Sequence, residues 1–446
     1  MNKFEITKEA LIEYLRDGCK KRKNWKIGTE HEKFGFHKRT LKPINFEDIQ
    51  NIFKSLVKKF GWEEETENNL IIGLKKNQSS ISLEPGGQIE LSGAPLKNLF
   101  ETCKEVNAHH QELSEVSRDL DIDYMGIGFL PKWKLEDISR VPKARYEIMR
   151  NYMKKRGKHG LDMMHRTTTI QANLDFESET DMVKKFRVSL AIQPAVIALY
   201  ANSPFISGKV SDYLSFRSWV WQNTDNDRCG TLPIVFDQGF SFESYVDYAL
   251  SVPMYFLRRN RKYYDFSGFS FKDFLENKKP FQPLEFNMQD WEDHLTTIFP
   301  EVRLKKFMEF RGVDGGPWSN VCALPAFWVG LLYDQENLDE LTEMISEWSS
   351  SQIKNFYDDV IKNGFKARTP KNKTIKLFLN DLLVKSKLGL ERRNIVNLKR
   401  NESIFLDPLF EILKKGESQA EIWKKMYYNE WKQNVDFIYE QNYFSK

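Results

Sequence analysis

Apolar residues at Leu11, Ile12 and Leu15 recur at helical spacing and predict a first helix. Just beyond it, Ile27 to Phe36 reads IGTEHEKFGF and alternates polar with apolar, the period of a half-buried strand. A helix is predicted at 46–60, then short strands at 70–74, 79–83 and 88–92, punctuated by Pro85-Gly86-Gly87 and leading into a long helix at 96–119. His165 to Phe176 alternates again, so that His165, Thr167, Thr169, Gln171, Asn173 and Asp175 share one face and Ile170, Ala172 and Leu174 the other. Helices are expected at 178–201, kinked at Pro194, and at 243–257. A last strand, Lys306 to Arg311, is closed by the turn Val313-Asp314-Gly315-Gly316-Pro317, and beyond 335 the chain reads as helical, rich in Lys and Glu. With no internal repeat and no regular βαβ series, this order predicts an α+β protein.

Composition narrows the class. The 446 residues suggest two or three domains, or one large domain with insertions. Lys plus Arg at 67 against Asp plus Glu at 63 leaves +4, too weak a field for a dedicated nucleic-acid or membrane-surface protein. Hydrophobic residues at 41% exclude a disordered chain. The uncharged run Val188 to Gly208 is broken by Gln193, Pro194, Asn202, Ser203 and Pro204 and reads as core. Val321 to Tyr333 falls short of the roughly 20 apolar residues of a span. The N-terminal MNKFEITKEALIEYLRDG lacks the apolar segment of a signal peptide. Cys19, Cys103, Cys229 and Cys322 are too far apart for zinc-site spacing, so a reduced cytosolic compartment is expected, with isolated disulfides left open.

The chemistry concentrates on the predicted strands. Glu30 and Glu32 lie two apart and project from one face, where like charges repel unless a cation sits between them. Gln88, Glu90 and Ser92 are again co-facial, Glu84 precedes the Pro-Gly-Gly turn, and Glu309 and Arg311 repeat the alternation. A single Glu-x-Glu is as readily a solvated strand face. Four such strands in one sheet would gather up to five carboxylates and Gln171 on an oxygen-rich surface suited to Mg²⁺ bridged to nucleotide phosphates. His31 should point to the opposite face and is read as structural. No GxxxxGK[ST] is present and no GxGxxG follows a strand, so a nucleotide would be held by metal and arginines. Arg145, Arg217 and Arg311 are the candidate clamps, although an arginine taken alone is more often a surface residue. Tyr146, Met149, Tyr152 and Met153 form a helical stripe that is either a soft pocket or ordinary core.

The strings IGTEHEKFGF, EPGGQIELSGAPL, YEIMRNYM, GLDMMHRTTTIQANLDF, ANSPFISGK, DYALSVPMYF, HLTTIFPEVRLKKFMEFRGVDGGPW and CALPAFWVGLLYD together resemble the glutamate-cysteine ligase family in its plant and proteobacterial branch. The resemblance runs in order from about 25 to 335, with a weaker echo at GLERR, 389–393. It implies a cupped antiparallel sheet lining the active site and surrounded by helices, related to glutamine synthetase. It also implies ATP-dependent joining of the glutamate γ-carboxylate to the cysteine amine, the first step of glutathione biosynthesis. Glu30, Glu32, Glu84, Glu90, Gln171 and Glu309 then correspond to a magnesium shell, Arg311 to a phosphate partner acting with Glu309 in catalysis, and Arg145, Arg217 and Tyr255 to glutamate contacts. The stripe Tyr146, Met149, Tyr152 and Met153 falls where the cysteine pocket is expected. Cys103 and Cys322 stand where the family has a redox-sensitive pair.

The sequence departs from the plant pattern in having Phe266 and Phe281 where plant members carry an extra cysteine pair, and its start is not expected to act as a plant transit peptide. A bacterial cytosolic enzyme is therefore expected, with ATP and Mg²⁺ as cofactors, small molecules as its partners and a monomer or homodimer as its state. The catalytic domain is expected at 1–335, with a helical extension at 336–446 packed on it. Two rival readings remain: a related γ-glutamyl ligase with another amine acceptor, and a nucleic-acid-binding protein using the basic stretch Arg392 to Arg400.

Overall fold

The alternating segments of the N-terminal half and the later strands join in one antiparallel sheet. In a computed structural model that describes residues 6–276 and 286–441, seven of its strands are β1 (Ile27–His37), β2 (Glu63–Glu67), β3 (Leu70–Lys76), β4 (Ser79–Leu83), β5 (Ile89–Ser92), β6 (Ile122–Met125) and β7 (Thr169–Leu174). Val302–Leu304 and Met308–Asp314 complete it. Met308–Asp314 lies between Val302–Leu304 and β7; β1 follows β7, and then come β5, β4, β3 and β2, with β6 beside the second half of β1. Helices pack around this sheet, as the α+β class requires.

One face of the sheet is apolar. His31, Leu91, Ile89, Ile170, Ala172 and Phe310 are buried there, against the helices Leu99–Arg118 and Trp318–Leu332. These two helices are joined by a Cys103–Cys322 disulfide with Cα atoms 5.7 Å apart, while Cys19 and Cys229 are free. Asn98 caps the first of them by accepting from Glu101 N.

Several sequence expectations are corrected. His165 belongs to a helix, Gly160–Arg166, and its Nδ1 faces Leu161 O at 2.9 Å, so the strand starts only at Thr169. Gln88 lies before β5 and is spent on the turn: it accepts from Gly86 N at 2.9 Å and donates to Thr167 O at 2.9 Å. The helix expected to reach 257 stops at Ser251, because Val252 precedes a proline and is extended; Phe256–Arg259 then pairs with Lys262–Asp265 as a hairpin. The last strand starts at Met308 and runs through Asp314, with an irregular register between Phe310 and Val313. Phe266 is buried, and Phe281 lies outside the described residues.

The chain beyond 335 is helical as expected, apart from a small hairpin, Val396–Asn397 with Arg400–Asn401, turning through Leu398 and Lys399 at positive φ. The helix Ile375–Arg393 crosses Trp318–Leu332 at glycines: a Cβ on Gly330 would overlap Ser386 O, and one on Gly389 would overlap Gly330 O. Among the described residues no helix is long and apolar enough to cross a membrane.

Candidate active site

Register decides which side chains meet. Glu32 on β1 stands opposite Glu90 on β5, and Glu30 stands between Gln171 on β7 and Ser92 on β5. One step along, Glu309 faces Asn173. These residues share the face opposite the apolar core, so the sheet presents a continuous strip of carboxylates and amides.

Each carboxylate is held differently. Glu90 accepts from Ser82 Oγ at 2.7 Å, Glu32 from Thr169 N at 3.1 Å, and Glu30 from Asn173 Nδ2 at 2.7 Å. Burial, with Glu309 and Glu90 nearby, pushes Glu30 up to about 8. Burial with Glu90 and Glu84 raises Glu32 well above the carboxylate range, and burial with Glu84 raises Glu90. Glu84, in the loop after β4, thus adds its charge to the same surface. Glu309 is the exception. Buried at 1% exposure, it is paired with Arg303, with Lys305 at 3.3 Å and with Arg311 at 3.3 Å, and these cations hold it well below the usual range despite burial.

Arg311 reaches onto the acidic face, donating to Gln171 Oε1 at 2.9 Å. Arg217, 3% exposed, donates from Nη2 to the Arg311 carbonyl at 2.9 Å. Arg145 lies over the rings of Tyr146 and Phe256 and lines a cleft of about 590 Å³ with Lys143, Arg258, Arg261 and Tyr263; the cleft reaches Ser82, the partner of Glu90. Arg145 Nε, Arg217 Nε and the Tyr255 hydroxyl are buried without a hydrogen-bond partner, as groups waiting for a ligand would be.

The helical stripe divides. Tyr146 spends its hydroxyl on Leu83 O at 2.5 Å, and Met153 packs under Gly160, so both serve as core. Met149 is buried in the same helix. Tyr152 meets Tyr255 edge to face at 5.1 Å and accepts from Arg156 Nε at 2.8 Å. Sequence reasoning missed what lies beneath them: fully buried Arg228, bonded to Asp225 at 2.7 Å and set 4.0 Å from the Tyr255 ring centroid. It also missed Asn173 as a Glu30 partner and Arg303 as a Glu309 partner. Asn173 sat on the polar face already recognised; Arg228 carries no sequence signal.

Carboxylate and amide oxygens are hard donors that suit Mg²⁺, and the upward push of burial and neighbouring carboxylates on Glu30, Glu32 and Glu90 is what a bound cation would relieve. Among the described residues no three His, Cys, Asp or Glu side chains already stand tightly enough together to hold an ion. Mg²⁺ commonly needs only one or two carboxylates, the remainder being water and substrate phosphate, so the facing pair Glu32 and Glu90 fits it.

A sheet that offers buried carboxylates beside guanidiniums has the chemistry to suit anionic substrates and a hard cation. The match to known proteins is more specific. Residues 26–441 match the model of glutamate-cysteine ligase family 2, and the chain belongs to that family. It is 51% identical over 438 residues to glutamate-cysteine ligase B, chloroplastic, of Oryza sativa subsp. japonica, covering 98% of this chain and 87% of the relative. It is 50% identical to the chloroplastic glutamate-cysteine ligase of Arabidopsis thaliana, over 98% of this chain and 83% of that one. The fold is shared with a solved glutamate-cysteine ligase of Francisella tularensis in complex with AMP: TM-score 0.57, 13% identity, 95% of this chain and 88% of that chain. The plant names also correct the expected cytosolic location. Relatives of this similarity are chloroplastic proteins, so the cytosolic assignment is withdrawn.

Proposed function

We infer that the acidic face of the sheet is where this protein performs its reaction, the ATP-dependent joining of the L-glutamate γ-carboxylate to the amine of L-cysteine, first step of glutathione synthesis. The observation that carries the placement is the facing pair Glu32 and Glu90 beside Arg311, on a surface whose carboxylates destabilise one another. A free carboxylate is a poor electrophile. Its oxygen attacks the γ-phosphorus of ATP, ADP leaves, and the cysteine amine then displaces phosphate from the γ-glutamyl carbonyl, losing a proton as the amide forms.

The chain's own groups position these anions. Glu30, Glu32, Glu84, Glu90 and Gln171 would hold Mg²⁺, which neutralises phosphate charge when bound. Glu309 would join them by giving up its Arg311 contact, which releases Arg311 from that pair to meet transferring phosphoryl oxygens. The unpartnered atoms of Arg145, Arg217 and Tyr255 support these residues as glutamate contacts. Met149 and Tyr152, with Tyr255 alongside, support an apolar pocket for the cysteine side chain; Tyr146 and Met153 support it from behind.

Residues 1–335 and 336–446 are read as one catalytic unit. Tyr357 donates to Glu301 Oε1 at 2.8 Å, Glu402 accepts from Leu99 N at 2.6 Å, and Trp423 donates to Asn202 Oδ1 at 2.9 Å. The rival nucleic-acid surface is weakened because Arg392 pairs with Asp334 at 2.6 Å and Glu336 at 3.4 Å, and Arg393 pairs with Glu402.

The test is phosphate release measured with glutamate alone, cysteine alone and both. Sustained release with both, one dipeptide per phosphate, supports the reading. Release that ignores cysteine, or prefers another amine, overturns the acceptor.

A further inference from the structure

Asp314 ends the strand that carries Glu309 and Arg311. It is 1% exposed, yet both its oxygens are occupied. Oδ2 accepts from Asn202 N at 2.7 Å and from Ser203 Oγ at 2.6 Å; Oδ1 accepts from Ser215 Oγ at 2.6 Å. Gly128 packs so closely that a Cβ there would overlap Asp314 Cγ, which leaves the carboxylate no room to swing.

Two of the three donors, Ser203 and Ser215, lead toward Arg217. Ser203 Oγ accepts from Arg217 N at 3.1 Å, and Ser215 is the N-cap of the helix Phe216–Gln222, accepting from Ser218 N at 3.2 Å. At its other end the Arg217 guanidinium donates to the carbonyl of Arg311. Arg217 is therefore tied to a single strand at two points, three residues apart: its backbone through Ser203 to Asp314, and its side chain to Arg311.

We propose that Asp314 is a positioning residue that sets Arg217 in register with Arg311, so that the Nε of Arg217 faces the glutamate substrate. The proposal rests on reading Arg217 as a glutamate contact. Only a carboxylate offers acceptors to two hydroxyls and an N–H at once; an amide must turn a donor toward one of them. A loop displaced by about 1 Å at a substrate contact costs on the order of 100-fold.

The experiment compares Asp314→Asn, Ser203→Ala and Arg217→Lys by separate KM values for glutamate, ATP and cysteine. Asp314→Asn should raise KM for glutamate by about 10- to 100-fold, with the other two KM values within about threefold. Ser203→Ala should do the same more weakly, and decides the matter if Asp314→Asn does not fold. The double variant Asp314→Asn with Arg217→Lys should be little worse than Arg217→Lys alone, because both changes remove one interaction. If Arg217→Lys leaves KM for glutamate unchanged, the reading of Arg217 fails. If Arg217→Lys raises it while Asp314→Asn and Ser203→Ala lower kcat alone or raise all three KM values together, the positioning role is overturned.

Discussion

Glu32 and Glu90 face each other on neighbouring strands, so the Glu90 charge makes ionisation of Glu32 harder, and replacing either one removes repulsion from the metal-free protein. Glu32→Gln and Glu90→Gln should therefore leave thermal stability in EDTA equal to or above that of the wild type while cutting Mg²⁺-dependent turnover by about 100-fold or more. A parallel loss of stability and activity would assign the pair to folding instead. In the proposed acceptor pocket, Met149→Ala or Tyr152→Ala should raise KM for cysteine far more than for glutamate or ATP, by about 1 to 3 kcal/mol of discrimination per group, read from initial rates with each substrate varied. At this scale the sequence was informative wherever two carboxylates lie two positions apart inside a strand, as Glu30 and Glu32 do. It said less about Glu309, whose partner Arg303 comes from across a hairpin that pattern alone does not register. Gln88 shares the parity of Glu90 yet closes a turn, since parity holds only inside a strand.

Strands with apolar residues on one face were legible because burial selects a period of two. Strand β2 reads EEETE and has no apolar face to announce it; only pairing with β3 makes it a strand. The polar string around His165 misled for the converse reason, since a buried helix end can imitate alternation over a few residues. Two elements carry predictions. Glu301, on the segment before the last strands, has one oxygen bonded to Tyr357 and the other unpartnered, and burial pushes it up to about 7. A carboxyl raised from its ordinary value of 4.5 gives stability that is full below that value and lost as pH rises through 7. Glu301→Gln should therefore gain on the wild type in denaturant unfolding between pH 4.5 and 8, by about 3 kcal/mol at most; a pH-independent difference would refute the shift. At the helix crossing, Gly330→Ala or Gly389→Ala should destabilise by about 1 to 3 kcal/mol, because backbone on the facing helix occupies the space of the new methyl.

For the whole molecule, long-range closure matters most. The disulfide ties positions 103 and 322 across 219 residues, and the cysteine pairing was suggested by family likeness, since spacing alone does not fix partners. Cys103→Ser should lower stability by about 3 to 5 kcal/mol relative to the oxidised wild type and abolish the effect of dithiothreitol on the melting temperature; an unchanged response to reductant would leave the pair as packing only. The C-terminal helices were visible as helices, yet their contacts with the preceding chain were not, because Tyr357, Glu402 and Trp423 act through single hydrogen bonds that no periodicity records. Activation of a carboxylate by phosphoryl transfer on this sheet is the central proposal. The direct measurement is the reaction of ATP and cysteine with glutamate labelled with ¹⁸O in its γ-carboxylate, followed by mass analysis of the phosphate. One labelled oxygen should appear in each inorganic phosphate released, whereas unlabelled phosphate formed alongside the dipeptide would contradict the γ-glutamyl phosphate route.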